Sequence, residues 1–177
     1  MSTNFPQRTT QRLLLRQITE SDLPNIYRGL SHPRVIPYYG VSYDSLEATQ
    51  AQMDWYASLE KEGTGIWWAV CEKDSGAFIG AGGLNDLSKE HRRAEIGFWL
   101  LPEYWGQGYM QEAMQAIIDY SFEGLNLHRI EGYVETENTN CQRGIAKLGF
   151  KNEGTMVDCE WKNGRFISVM VFALLSS

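Results

Sequence analysis

Apolar and polar residues recur along this chain with two periods, and each change of period marks an element boundary. Arg12-Leu13-Leu14-Leu15-Arg16-Gln17-Ile18 predicts a first strand. Thr19-Glu20-Ser21-Asp22 has the form of a capping box and predicts a helix running to about Leu30. Leu46, Met53, Tyr56 and Leu59 fall near one face of a second helix over 46–62, closed by Gly63-Thr64-Gly65. Two β-rich runs follow, 66–72 and 78–84, with Lys73-Asp74-Ser75-Gly76 as the hairpin turn between them. In 94–101 the alternation is strict: Ala94, Ile96, Phe98 and Leu100 share one face, and Glu95, Gly97, Trp99 and Leu101 the other.

After Pro102 the period becomes helical through Ala113, Met114, Ile117, Ile118 and Phe122. A strand over 130–135 and a helix over 140–148 come next, with Gly149 where a C-terminal glycine cap belongs. Strands near 155–161 and 166–175 flank the Asn163-Gly164 turn. No linker or repeat interrupts the pattern, so residues 1–177 read as one mixed α+β domain of three-layer type. Its early half is antiparallel and β-α-β-α units follow.

Composition then excludes several classes. A chain of 177 residues, 43% hydrophobic and 21% charged, has globular composition. Its formal charge of −6 argues against direct nucleic-acid binding and is compatible with cationic substrates. No apolar run is long enough for a membrane helix, and the N-terminus lacks the apolar segment of a secretory signal. Cys71, Cys141 and Cys159 form no C-x-x-C pair, which points to reduced thiols and a cytoplasmic location. His32, His91 and His128 lie far apart in sequence, so no metal site is expected.

One segment carries chemistry. A strand ending at Pro102 leads through Trp105-Gly106-Gln107-Gly108 into a helix starting near Tyr109 or Met110. Unpaired amides at a helix N-terminus, aided by the helix dipole, suit phosphate oxygens. An ordinary strand-to-helix turn explains the glycines equally well. A Rossmann fingerprint would need glycine or alanine where Gln111 stands, and no Gly-Lys-Ser/Thr triplet exists for a Walker loop.

The run from Glu95 to Ala113 resembles motif A of the GNAT N-acetyltransferase superfamily, whose loop has the form Arg/Gln-x-x-Gly-x-Gly/Ala. Gly108 matches, whereas Trp105 and Met110 depart from it. The tryptophan-glycine form is similar to the RimJ/RimL ribosomal-protein N-terminal acetyltransferase branch. Arg12-Leu13-Leu14-Leu15-Arg16 with the following Thr-Glu-Ser-Asp-Leu, Asn138 to Cys141, Lys147 to Phe150 and Glu160 to Gly164 also resemble segments of that branch, in the same order.

That resemblance implies a central, mostly antiparallel twisted sheet, splayed at the motif A strand, with helices on both faces. It implies acetyl-CoA as cosubstrate, held by the backbone of Gly106, Gln107, Gly108, Tyr109, Met110 and Gln111. Backbone groups of Phe98, Trp99 and Leu100 and the side chain of Asn138 would hold the pantetheine arm. Capping a helix is the other reading of Asn138. Cys141 stands where the branch has serine, a proton donor to the departing thiolate, and packing is its alternative role. Glu160 matches the branch's general base, with Glu95 as rival. The implied acceptor is a primary amine, foremost the N-terminus of a ribosomal protein. Alternatives are a small amine (a polyamine, an amino acid or an aminoglycoside) or a non-catalytic acetyl-CoA-binding role. The branch also suggests a homodimer. Tyr38, Tyr39, Trp55 and Trp67 are either pocket or core aromatics.

Overall fold

The computed structural model describes residues 4–177. Eight strands form one sheet in the order β1-β2-β3-β4-β5-β6-β8-β7, with ranges β1 Arg8–Thr9, β2 Leu13–Gln17, β3 Ile66–Glu72, β4 Phe78–Ser88, β5 Arg93–Leu100, β6 Arg129–Glu135, β7 Lys151–Lys162 and β8 Arg165–Leu175. Every neighbouring pair is antiparallel except β5 and β6. Helices α1 (Leu23–Leu30) and α2 (Leu46–Glu62) cover one face, and α3 (Tyr109–Glu123) and α4 (Thr139–Lys147) the other.

Alternation along β5 feeds two separate cores, which is why this strand reads as apolar on both faces. Ala94, Ile96 and Leu100 pack with Met114, Ile117 and Ile118 of α3. Trp99 packs with Ile26 and Leu30 of α1 and Met53 and Tyr56 of α2. At about 25 cal/mol per Å² of apolar surface, each fully buried aliphatic side chain contributes roughly 1.5–3 kcal/mol.

The capping box at Thr19 closes as expected, the Thr19 N–H donating to the Asp22 carboxylate at 2.9 Å. It opens a 3-10 turn, Glu20–Asp22, and α1 begins only at Leu23 with Pro24 in its first turn. Asp22 is buried and accepts both Arg16 terminal nitrogens at 2.8 Å. Ser45 caps α2 by accepting the Ala48 N–H, and Gly63 ends it at φ 69°. The buried face of α2 differs from the one expected: Leu46 is exposed, while Thr49 and Gln52 are buried beside Met53, Tyr56 and Leu59. Both polar side chains are satisfied locally, Thr49 Oγ1 donating to Ser45 O and Gln52 Oε1 accepting from Tyr43. β4 continues past Leu84 to Ser88 through an irregularity where Asp86 has φ 51°. β7 begins at Lys151, earlier than the apolar pattern suggests, because none of its side chains is buried to produce a pattern. No helix among the described residues is long and apolar enough to cross a membrane.

Candidate active site

The sheet opens where its one parallel pair parts. β5 and β6 are in register only at Arg93↔Arg129, Ala94↔Ile130 and Glu95↔Glu131; beyond Glu95 they diverge. Leu101 N–H donates to Ile79 O at 2.9 Å, so by alternation the odd-numbered residues of β5 bond to β4. Phe98 therefore turns its amide and carbonyl to the open edge. Trp99 turns its own to β4 and buries its indole beside Phe78 and Gly29. The Leu100 carbonyl faces the open side but accepts the Trp105 indole N–H at 2.9 Å. The three residues grouped from sequence thus differ, and Phe98 alone offers both backbone groups to a strand-like ligand.

At the far end of β5 the chain makes a 3-10 turn, Pro102–Tyr104, and enters the glycine loop. Gly108 takes φ 81° as N-cap of α3, a conformation that any side chain would strain. Among the described residues no hydrogen bond engages the backbone N–H groups of Gly106 through Gln111. Six unpartnered donors at a helix start fit a diphosphate, so the cradle expected from sequence is chemically competent for coenzyme A. Side chains at its rim are engaged elsewhere: Gln107 Nε2 donates to Glu103 O, and Gln111 Nε2 donates to Gly144 O on α4. Met110 leans on Gly144 and lines the cleft below.

That cleft, about 610 Å³, lies between the splayed strands, α2, the 38–43 segment and the β7–β8 hairpin. It brings together Glu95, Phe98, Met110, Asn138, Cys141 and Glu160 from the sequence-derived set. All four aromatics Tyr38, Tyr39, Trp55 and Trp67 line it as well. Trp67 lies flat across two strands because Gly83 and Gly97 have no side chain; a Cβ on either would sit within 2.4 or 2.7 Å of the indole. Sequence reasoning missed Tyr43, Gln52, Asn85 and Glu135, which also line the cleft. Tyr43 comes from a loop, Gln52 from a polar position of α2, Asn85 from β4 and Glu135 from the end of β6, none marked by an apolar period.

Within this cleft Glu95 stands apart electrostatically. Burial first, then the neighbouring Asp86 and Glu131 carboxylates, push its pKa up to about 7. Tyr39 is also held in its neutral form, chiefly by burial and then by Tyr56, Tyr43 and Glu95. Glu160 is exposed on β7. Asn138 caps α4, its Oδ1 accepting the Cys141 N–H at 3.2 Å, which leaves its Nδ2 donor for a ligand. Burial pushes the Cys141 thiol up to about 11. Among the described residues no group of His, Cys, Asp or Glu is placed to hold a metal ion.

A sheet that parts beside a row of unpartnered amides, above a cleft holding a carboxyl raised to about 7, would suit an anionic ligand at the amides and a proton-losing acceptor in the cleft. Residues 12–151 match the acetyltransferase (GNAT) domain family. The uncharacterised N-acetyltransferase YoaA of Bacillus subtilis is 35% identical over 172 residues, 97% of each chain. The spermidine N-acetyltransferase of Vibrio cholerae, solved with CoA and spermine, superposes with a TM-score of 0.84 at 26% identity, covering 94% of this chain and 96% of that one. RimL, a ribosomal L7/L12 N-terminal acetyltransferase solved with CoA, shares the fold at a TM-score of 0.85 and 21% identity, over 95% and 96% of the two chains. This chain belongs to the GNAT acetyltransferase family and is an N-acetyltransferase of the acetyl-CoA-dependent type.

Proposed function

We propose that the acetyl acceptor is a small amine carrying more than one ammonium group, of the polyamine class. The cleft wall carries this reading: the rings of Tyr38, Tyr39, Tyr43, Trp55 and Trp67 stand with the carboxylates of Glu95, Glu135 and Glu160, and among the described residues no lysine or arginine lines it. Lys162 already engages Glu135, leaving Glu95 and Glu160 for a substrate. Aromatic faces attract ammonium groups, and two carboxylates can serve two charges. A protein N-terminus, the acceptor implied by the resemblance to the RimJ/RimL branch, brings one α-ammonium and asks for less. The likeness to a spermidine acetyltransferase at 26% identity supports the same choice.

Acetyl-CoA bound here supplies an activated acetyl thioester. The amides of Gly106 to Gln111 would hold its diphosphate, and the Phe98 edge and Asn138 Nδ2 its pantetheine amides, in a β-augmentation geometry. Glu95 would accept the proton that the ammonium must lose before its nitrogen can attack; as the N–C bond forms and the C–S bond breaks, the nitrogen's second proton would pass to solvent and CoA would depart as the thiolate. From an ammonium near 10.4 to an ordinary carboxylate that transfer costs about 8 kcal/mol; to Glu95 at about 7 it costs about 5 kcal/mol. Cys141 would keep its proton and donate a hydrogen bond to the departing sulfur. Full transfer to a thiolate of reference pKa 8.5 would run about 3 kcal/mol uphill.

Release of free CoA, followed with spermidine, spermine, amino acids, an aminoglycoside and peptides with free N-termini, tests the proposal. Polyamines should turn over fastest. Turnover of peptides alone would reassign the acceptor to a protein N-terminus, and no turnover with any amine would leave a non-catalytic acetyl-CoA-binding role.

A further inference from the structure

The Gly106–Gln111 loop has a neighbour from the other end of the domain. Arg12, the residue before β2, lies across it. Its Nη1 donates to the Gln107 carbonyl at 2.9 Å, its Nε donates to Glu112 at 2.7 Å, and its guanidinium carbon stands 4.3 Å above the Tyr109 ring. Its Nη2 is the nearest atom to where a Gly108 side chain would begin, 3.3 Å away. Glu112 is itself held, by the Arg12 N–H at 2.7 Å and the Thr10 hydroxyl at 2.6 Å. This network fixes the guanidinium through three contacts beside the Gln107–Gly108 peptide.

The geometry points to Arg12 as a positioning residue for the diphosphate cradle, gripping the Gln107 carbonyl so that the Gly108 N–H is set toward the cofactor. The inference rests on the reading that this loop holds the CoA diphosphate. A peptide unit is planar and trans, so a carbonyl pinned on one side fixes the direction of the following N–H on the other. A cationic donor on that carbonyl also polarises the peptide and strengthens its N–H as a donor. The charge has a second use. GNAT loops of the form Arg/Gln-x-x-Gly-x-Gly/Ala can open on a cation, but Trp105 stands there and spends its indole N–H on Leu100 O. Arg12 brings a positive charge back to the loop from another strand. Stability alone is a poor reason for the arrangement: the Arg12 side chain is 40% exposed, and exposed ion pairs contribute about 0–1 kcal/mol.

The test compares wild type, Arg12→Gln and Arg12→Lys for binding of CoA and 3′-dephospho-CoA by calorimetry. Binding of pantetheine, which has no diphosphate, is followed at millimolar concentration by 15N–1H shifts. Arg12→Gln should weaken CoA and 3′-dephospho-CoA equally, by about tenfold, which is about 1.4 kcal/mol. Pantetheine binding should be unchanged, and the CoA-induced shift of the Gly108 amide should shrink. Arg12→Lys, which keeps the charge and loses the fork, should fall between the two. Equal losses for CoA and pantetheine would mean a general structural role and overturn the inference. Unchanged CoA affinity, or a loss confined to CoA with its 3′-phosphate, would overturn it too. Wild-type protein that fails to bind CoA would instead remove the cradle reading itself.

Discussion

Replacing Glu95 by glutamine should lower activity and raise stability, and the two effects share one cause. Glu95 titrates at about 7 in the folded protein against an ordinary value of 4.5. Below pH 4.5 it is protonated in both folded and unfolded chains and costs nothing. As the pH rises the unfolded chain releases its proton first, so the folded state is progressively disfavoured until about pH 7, where the cost levels off. The full interval corresponds to about 3 kcal/mol. The carboxyl is only partly buried, so solvent screening brings this to roughly 1–2 kcal/mol. Urea unfolding of Glu95→Gln and wild type should therefore coincide at pH 4 and differ by that amount at pH 8, the variant being more stable. In steady-state assays the variant should lose about 10²–10⁴-fold in kcat/KM for the amine, and the inflection near pH 7 in the wild-type profile should vanish. Glu160→Gln, run in parallel, should lose less than tenfold, since Glu160 would contribute to amine binding only. A large loss at Glu160 with near-normal activity at Glu95 would refute the assignment. Coincident unfolding curves at pH 8 would refute the electrostatics behind it.

Gly108→Asp forces a side chain into a φ 81° position and places negative charge among the cradle amides, so acetyl-CoA affinity should fall at least tenfold, about 1.4 kcal/mol, by calorimetry. Cys141→Ser should keep kcat within roughly tenfold, because a thiol held at about 11 is a poor acid; a loss of the 10²–10⁴-fold size typical of general acids would assign it proton delivery. Ile117→Ala, at a fully buried position between α3 and the sheet, should cost about 2–5 kcal/mol in urea unfolding, with CoA affinity little changed at saturating folded fraction.

The hydrophobic pattern specifies most of the fold because most elements have a face to bury. The alternation over 94–101 anticipates a strand shared by two cores, and Gly149 ends α4 as expected, with its amide bonded to Ala146 O and φ 92°. Pattern fails where burial is not the cause. The full β7, exposed along its length, and the polar end of β4 are held by strand pairing that only the partner strand defines. In α2, Thr49 and Gln52 are buried because nearby acceptors and donors satisfy them, which hydrophobicity cannot forecast. The same limit applies to the site. The turn at Gly108 and the unpartnered amides around it are local and legible. The position of Trp67 depends on glycines in two other strands, and that of Arg12 on a loop some ninety-five residues away. Asn138 shows both sides, since its helix-capping chemistry and its place in the cleft use different atoms of one amide.

The parting of β5 and β6 has a mechanical side. Among the described residues, three register pairs and the Arg92 carbonyl, which accepts the His128 and Arg129 N–H groups, make the strand seam between the group β1 to β5 and the group β6, β8 and β7, so the sheet is two plates joined along one short line. The pantetheine arm, lying along Phe98, would be a removable strut between the plates rather than a guest on a finished surface. Loading would then stiffen both sides of the gap together. Backbone amides of distal β5 and of β6 should slow in hydrogen exchange as one unit, while those of β2 and β3, deep within one plate, should not change. The acceptor cleft, walled by residues from both plates, would take its final width only once the strut is in place, so the amine should meet a better-formed site after the thioester than before it.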